Sequence, residues 1–362
     1  MKIAILGTRG IPNNYGGFEQ FAECFGIYLV EQKHDVYIYN SHNHVFQETC
    51  YKGVNIIHQY DPEDRMGSAG QFIYDLNCIM DSRKKNFDII LQLGYTSSSV
   101  WSFLLPKKAI IITNMDGLEW KRSKYGKTTQ KFLKFAEKRA VKSSDHLVAD
   151  SLGIKQYLKD KYNKEAVYIA YGAESFLKQN ENLLSQYNVE KNNYNLLIAR
   201  FEPENNIEII LDGVVDSQDN KVTLIVGNND NSFGKYLKKK FSDNQKIRFI
   251  GGIYNKEHLD NLRYFSNIYF HGHSVGGTNP SLLEAMAAKA LIVAHNNEFN
   301  HAVLQENAFY FSNAVEVKNL IETVKRSNHK QIVEDNFHII IKEFNWNKIN
   351  ESYLRLFEKS LQ

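Results

Sequence analysis

Short apolar runs alternate with amphipathic stretches along the whole chain. Lys2–Leu6, Asp35–Tyr39, Asn55–Gln59, Asp88–Leu93, Ala109–Thr113, His146–Ala149 and Val167–Ala170 read as strands. Gly17–Gln32 and Lys127–Lys142 carry their apolar residues at helical spacing. A polar, Asn-rich segment, Lys178–Asn193, then interrupts the pattern as a linker or surface excursion. The alternation restarts with strands at Asn195–Ala199, Lys221–Val226, Ile247–Phe249, Ile268–Phe270 and Ala290–Val293, and helices at Ile207–Val215, Lys256–Tyr264 and Pro280–Lys289. Trp346–Leu361 closes the pattern as a helix with Ile349, Tyr353, Leu356 and Phe357 on one face. Strands alternating with helices imply parallel sheets covered on both faces. The expectation is an α/β protein of two Rossmann-like, doubly wound domains, residues 1–172 and 173–345, joined near Tyr171–Asn193, plus a helix over 346–362.

Composition narrows the classes. Lys and Arg number 44 against 41 Asp and Glu, a balance that argues against a dedicated nucleic-acid binder. With 43% hydrophobic residues the chain is neither disordered nor collagenous. Cys24, Cys50 and Cys78 are scattered, with no zinc spacing, and fit a reducing cytoplasm. The run Ile3–Leu6 is too short for a signal peptide's hydrophobic region, and no stretch is apolar for the length of a spanning helix.

Two stretches carry candidate chemistry. The first strand runs into GTRGIPNNYGG, Gly7–Gly17, and then a helix. Glycines let a backbone approach a ligand closely, and a helix N-terminus attracts anions. The spacing is not GxGxxG, and Tyr39–Asn40 stand where a dinucleotide fold wants an acid, so NAD is disfavoured. The bland alternative is a long surface turn. The second stretch is HGHSVGGTNPSLLEAMAAKA, His271–Ala290. Asn279 suits an N-cap and Pro280 the first helical position. Glu284 then sits inside an almost wholly apolar helix, where a carboxylate needs a donor. Ligand hydroxyls meet that need, with the helix start Gly276–Asn279 as an anion site; an internal salt bridge is the alternative. Arg200, in the turn ARFEPENN after a strand, is placed for a diphosphate or is a solvated surface cation.

The stretches MKIAILGTRGIPNNYGGFEQFAE, NMDGLEWKRSKYG (Asn114–Gly126) and GGTNPSLLEAMA (Gly276–Ala287) resemble the retaining GT-B glycosyltransferases of the family 4 type, within a bacterial rhamnosyltransferase-like subgroup. The resemblance runs over essentially the whole chain. It implies two Rossmann-like domains facing a cleft, acceptor on the first and nucleotide-sugar donor on the second, with the last helix packing back on the first. By position, Glu284 matches the second Glu of the family's E-x7-E motif, which grips the ribose, and Arg200 the Arg that neutralises the leaving diphosphate. Gly16 and Gly17 match the glycine loop near the phosphates; Gly277, Thr278 and Asn279 match the amide cluster near the diphosphate and sugar. There are departures. The first motif Glu falls at Gly276, a Lys usual after the Arg falls at Asn205, and the usual active-site His aligns with Met115, leaving Asp116.

The expected mechanism is stabilisation of charge on the departing diphosphate by Arg200 and the helix start, without a metal or other cofactor. Arg9, Asp116 and Glu119 fall on the acceptor side. Asp116 either orients the acceptor or is an Asx-turn residue. His273, with His271, walls the sugar pocket or bonds backbone; His42 and His44 read as loop residues. Asn205 is counted with the donor-binding residues.

Lys121, Arg122, Lys124, Lys127, Lys131, Lys134, Lys138, Arg139 and Lys142 accompany one acid, Glu137. Phe132, Phe135, Ala136 and Ala140 are expected to pack on the sheet, leaving a cationic face that is either solvated or meets anionic lipid. The expectation is a cytoplasmic, peripherally membrane-associated glycosyltransferase. Its donor is a dTDP- or UDP-sugar, L-rhamnose from dTDP-rhamnose foremost. Its acceptor is a polyprenyl-diphosphate-linked or free oligosaccharide of a surface polysaccharide such as a capsule, and it does not act on nucleic acid. A nucleotide-sugar epimerase or hydrolase of the same fold, or an idle partner subunit, is the rival.

Overall fold

The computed structural model describes residues 1–14, 16–122, 125–275 and 277–362. They form two units. One comprises Met1–Lys121, Tyr125–Tyr171 and Trp346–Gln362; the other comprises Gly172–Asn345, with Arg122 grouping with it.

The first unit holds β1 (Lys2–Leu6), β2 (Asp35–Ser41), β3 (Cys50–Tyr51), β4 (Val54–Gln59), β5 (Ile89–Leu93), β6 (Ile110–Asn114), β7 (His146–Ala149) and β8 (Ala166–Tyr168). Their order in the sheet is β3-β4-β2-β1-β5-β6-β7-β8, and every pairing but β3–β4 is parallel. The strand order reverses between β1 and β5, and such switch points open crevices at the carboxyl ends of strands. Continuous apolar runs such as Ile3–Leu6, buried at every position, are what a sheet covered on both faces demands.

The second unit holds β9 (Tyr194–Ile198), β10 (Val222–Val226), β11 (Ile247–Gly251), β12 (Ile268–His271), β13 (Ile292–His295) and β14 (Phe309–Phe311). The order β11-β10-β9-β12-β13-β14 is parallel throughout and switches between β9 and β12. The core beneath it gathers Leu197, Phe201, Ile210, Phe270 and Phe311. Two stretches differ from the sequence expectation. The segment Lys178–Asn193 is part of the second unit, not a free linker. It makes a 3-10 turn at Glu181–Tyr187, buries Leu184, and donates from the amide of Asn180 to Asn261 Oδ1 at 2.7 Å. The helix after Asn279 stops at Ala287 rather than Lys289, whose φ of 52° is incompatible with continuing it.

The chain returns to the first unit through the helix Trp346–Ser360. Its Tyr353 stacks on Phe21 and Phe25 of the helix Gly17–Glu31 at 4.8 and 5.3 Å, and Phe357 lies edge-on to Phe25 at 5.5 Å. Such pairs add about 0.5–1.5 kcal/mol each beyond area burial. No helix of the described residues is long and apolar enough to cross a membrane.

Candidate functional site

At the switch between β9 and β12, three loops converge. Arg200 follows β9 by two residues, and the turn after it is closed by Asn205, whose side-chain amide donates to the Arg200 carbonyl at 2.7 Å. Asn205 is 5% exposed, so its amide braces the turn rather than facing outward as a phosphate ligand would. Gly272, after β12, approaches this turn so closely that a Cβ would stand 2.0 Å from the Asn205 carbonyl oxygen. Asn206 donates to the Gly272 carbonyl at 2.7 Å, and the Ser274 hydroxyl to that of Glu204 at 2.7 Å. From after β13, Asn297 and Asn300 both donate to the carbonyl of His273 at 3.1 Å. The loop that carries the second motif is thus pinned on two sides by asparagine amides.

His271 and His273 stack at 4.5 Å with ring planes 16° apart. Neither ring nitrogen of His271, nor Nδ1 of His273, has a hydrogen-bond partner, so the rings do not bond backbone. Burial first, then the positive charges of Arg200 and Arg122, lower His273 to about 3. Burial and the neighbouring His273 push His271 well below the ordinary range. Both rings are neutral at pH 7.

Asn279 caps the helix Pro280–Ala287, accepting the amide of Ser281 at 2.9 Å. The amides of Leu282 and Leu283 bond the Asn279 carbonyl at 3.1 and 3.2 Å. The first helical amides are therefore taken, and an anion here would draw on the preceding residues Gly277–Asn279 and on the helix dipole. Gly276, the start of the expected anion site, lies outside the described residues, as does Lys124 of the basic segment.

Glu284 has a donor within the protein. Arg263, from the helix Lys256–Phe265, reaches Glu284 Oε2 at 2.6 Å and Asp260 Oδ1 at 3.0 Å. The internal salt bridge is the correct reading of how the buried carboxylate is satisfied. Arg263 is 1% exposed; burial alone lowers its pKa, but Glu284, Tyr269 and Asp260 carry it above the ordinary value. The pair fixes one oxygen of Glu284 and leaves its side chain 20% exposed. Nothing in the sequence marks Arg263. It stands on a polar, amphipathic helix and reads as a surface cation.

In the first unit, Gly16 and Gly17 form the N-cap and first residue of the helix Gly17–Glu31. The loop before them is gripped by Asn40, which accepts the Ile11 amide at 3.0 Å and donates to its carbonyl at 2.8 Å. Arg9 forms a two-pronged pair with Glu63 at 2.8 and 2.6 Å. Asp116 sits just after β6 with φ of 51°, a region costly for a non-glycine residue. Its amide donates to Asn114 Oδ1 at 2.9 Å, so the Asx turn belongs to Asn114 and the Asp116 carboxylate is not spent on it. Asn114 is itself held by the Tyr353 hydroxyl, 2.8 Å from Nδ2. Glu119 opens a short 3-10 turn, half-buried. His42 and His44 are loop residues bonding backbone at Asp61 and Pro12.

One acid of this unit escaped notice. Asp75 is buried beside Ser97 at 2.5 Å, and desolvation raises it to about 6, opposed by the Ser97 hydroxyl. Its protonated form is favoured by folding, so its contribution is intact below the ordinary value near 3.8 and is lost as pH rises through about 6. Asp75→Asn is therefore expected to gain on the order of 3 kcal/mol over wild type at pH 8. The gain should vanish by about pH 4. Urea denaturation at a series of pH values reads both arms.

Residues 178–343 match the family described as glycosyl transferases group 1. Over that segment the chain is similar to the group 1 glycosyltransferases. Residues 1–174 match a domain of unknown function (DUF1972). An uncharacterized glycosyltransferase of Methanocaldococcus jannaschii is 23% identical, covering 99% of this chain and 98% of that protein. Sucrose-phosphate synthase from Thermosynechococcus elongatus superposes with a TM-score of 0.81 at 15% identity, over 99% and 98% of the two chains. Anabaena HepE, solved with UDP and glucose, gives 0.74 at 15% identity over 99% and 100%. The chain thus has the GT-B type of α/β fold, with two mostly parallel sheets. Among the described residues, no group of three or more His, Cys, Asp or Glu could hold a metal ion.

Proposed function

We propose that this glycosyltransferase moves a sugar from a nucleotide-sugar donor, L-rhamnose from dTDP-rhamnose foremost, to a lipid-linked oligosaccharide in surface polysaccharide synthesis. Transfer proceeds with retention and without a metal, at the cytoplasmic face of a membrane. The observation that carries the donor half is the convergence at the β9–β12 switch. A cation, Arg200, a capped helix start at Gly277–Asn279, and a mostly buried acid, Glu284, follow from these braced loops. Glu284 lies about 6 Å along the helix from Pro280, which suits a pentose beyond a diphosphate. The UDP held by Anabaena HepE supports a nucleotide donor.

Arg200 and the helix dipole stabilise the charge that builds on the leaving diphosphate. Glu284, aimed by Arg263, accepts from the ribose hydroxyls. The neutral rings of His271 and His273 wall the sugar without adding a proton donor of low pKa. Asp116, on its strained turn, is the acceptor-side acid of the proposal, with the role of orienting the acceptor hydroxyl.

A thermal-shift series with UDP, dTDP, GDP and their sugars tests the reading. A ligand bound only by the native state raises the midpoint, by about 2.7 kcal/mol of stabilisation at a hundredfold excess over Kd. At least one nucleoside diphosphate is expected to do so, and none doing so would overturn the proposal. Transfer unaffected by EDTA, with an unchanged anomer in the product, is the matching result for metal independence and retention.

A further inference from the structure

The helix Lys127–Ser143 packs inward through Phe132, Ala136 and Ala140 as its spacing predicts, but not through Phe135. Its buried stripe is Leu133, Ala136, Glu137, Ala140 and Val141. Phe135 is left 54% exposed, and Phe103, on the 3-10 helix Ser98–Leu104 that packs against it, is 66% exposed. The two elements are stitched together by Phe72, whose ring meets Phe132 at 5.7 Å and whose carbonyl accepts from Trp101 at 2.8 Å. Around the protruding rings stand exposed cations. Lys131, Lys138 and Lys142 share the helix face of Phe135 at offsets of four, three and seven residues, and Lys107 and Lys108 follow Phe103.

The helix's acid does not neutralise this face. Glu137 is 1% exposed and turned inward, where it accepts from Trp120 at 3.1 Å, Tyr157 at 2.7 Å, Tyr162 at 2.5 Å and Lys161 at 2.9 Å. The outward side is therefore purely basic, with two large apolar groups standing in water.

We propose that Phe103 and Phe135, with Lys107, Lys108, Lys131, Lys138 and Lys142, form a docking face for an anionic lipid bilayer, the rings entering the headgroup boundary and the lysines meeting lipid phosphates. Cations draw the face to a negative surface, and exposed aromatic side chains are the groups that settle at a membrane interface. This deepens the proposal of a lipid-linked acceptor by naming the surface that meets the membrane.

Co-sedimentation of the full chain with vesicles of phosphatidylcholine alone, and with 30% phosphatidylglycerol added, tests it. Binding is expected to be at least tenfold stronger to the anionic vesicles at low salt. The variant Lys131→Ser, Lys138→Ser, Lys142→Ser is expected to lose at least tenfold of that binding, and Phe103→Ser, Phe135→Ser several-fold at unchanged salt dependence. Equal binding to both vesicle types overturns the proposal. So does wild-type binding by the phenylalanine variant, or preferential binding of a single-stranded oligonucleotide, either of which would make the face a general polyanion site. The nucleotide thermal shift, repeated on each variant, is expected to be unchanged. Loss of vesicle binding with that shift intact separates failure of this face from failure of the donor site.

Discussion

Replacing Arg263 by methionine should cost the second unit on the order of 3 kcal/mol and abolish transfer. Removing one partner of a buried ion pair typically costs about 3–5 kcal/mol, because the other is left uncompensated. The lower end applies because Asp260 keeps Lys256 at 2.5 Å and Glu284 is 20% exposed. Urea denaturation measures the loss. A companion variant, Arg263→Met with Glu284→Leu, removes both charges and should recover most of the stability, since apolar replacement of a buried pair is often neutral or better. It should not recover transfer. If it does, Glu284 is only a structural partner of Arg263 and has no part in holding the donor.

Arg200→Ala should lower kcat about 10²–10³-fold, the range for losing one group that stabilises developing charge. Stability should hardly change, because Arg200 is exposed and Asn205 bonds its backbone carbonyl rather than its side chain. A second readout separates an electrostatic role from a merely steric one. Burial is the main cause of the depressed His273 pKa, and the Arg200 charge is the next. Removing that charge should move the His273 titration upward, visible in the imidazole proton shifts by NMR. A normal kcat in the variant would remove Arg200 from the mechanism.

Much of the fold was legible because burial on both faces of a parallel sheet forces uninterrupted apolar runs. Ile3–Leu6 and Ile268–Phe270 announce themselves in that way. Phe309–Phe311 did not, being only three residues long, and the helix Gly70–Ser82 hides its stripe among Asp and Asn. On the basic helix, spacing marks Phe132, Ala136 and Ala140 correctly and Phe135 wrongly. It misses that the buried stripe includes an acid, Glu137, tolerable inside only because four side chains from other elements reach it. Such partners come from distant parts of the chain and leave no local trace. At the candidate donor site the loop residues Arg200 and Gly277–Asn279 were visible as motifs. The groups that hold them were not: Asn205 reads as a substituted lysine, Asn297 and Asn300 as ordinary polar residues, and Arg263 as solvated. Sequence patterns mark what a loop presents; its bracing depends on three-dimensional neighbours.

The helix Trp346–Ser360 has a further implication, for the order in which the protein can mature on the ribosome. The aromatic faces of Phe21 and Phe25 are made before the second unit, yet Tyr353 and Phe357, which cover them, emerge only after that unit has been translated. A nascent chain therefore carries an uncovered sticky patch while the second unit is made, at the usual pace of about 5–20 residues per second. The second unit, contiguous in sequence, is free to fold first, and the earlier-made one is completed last.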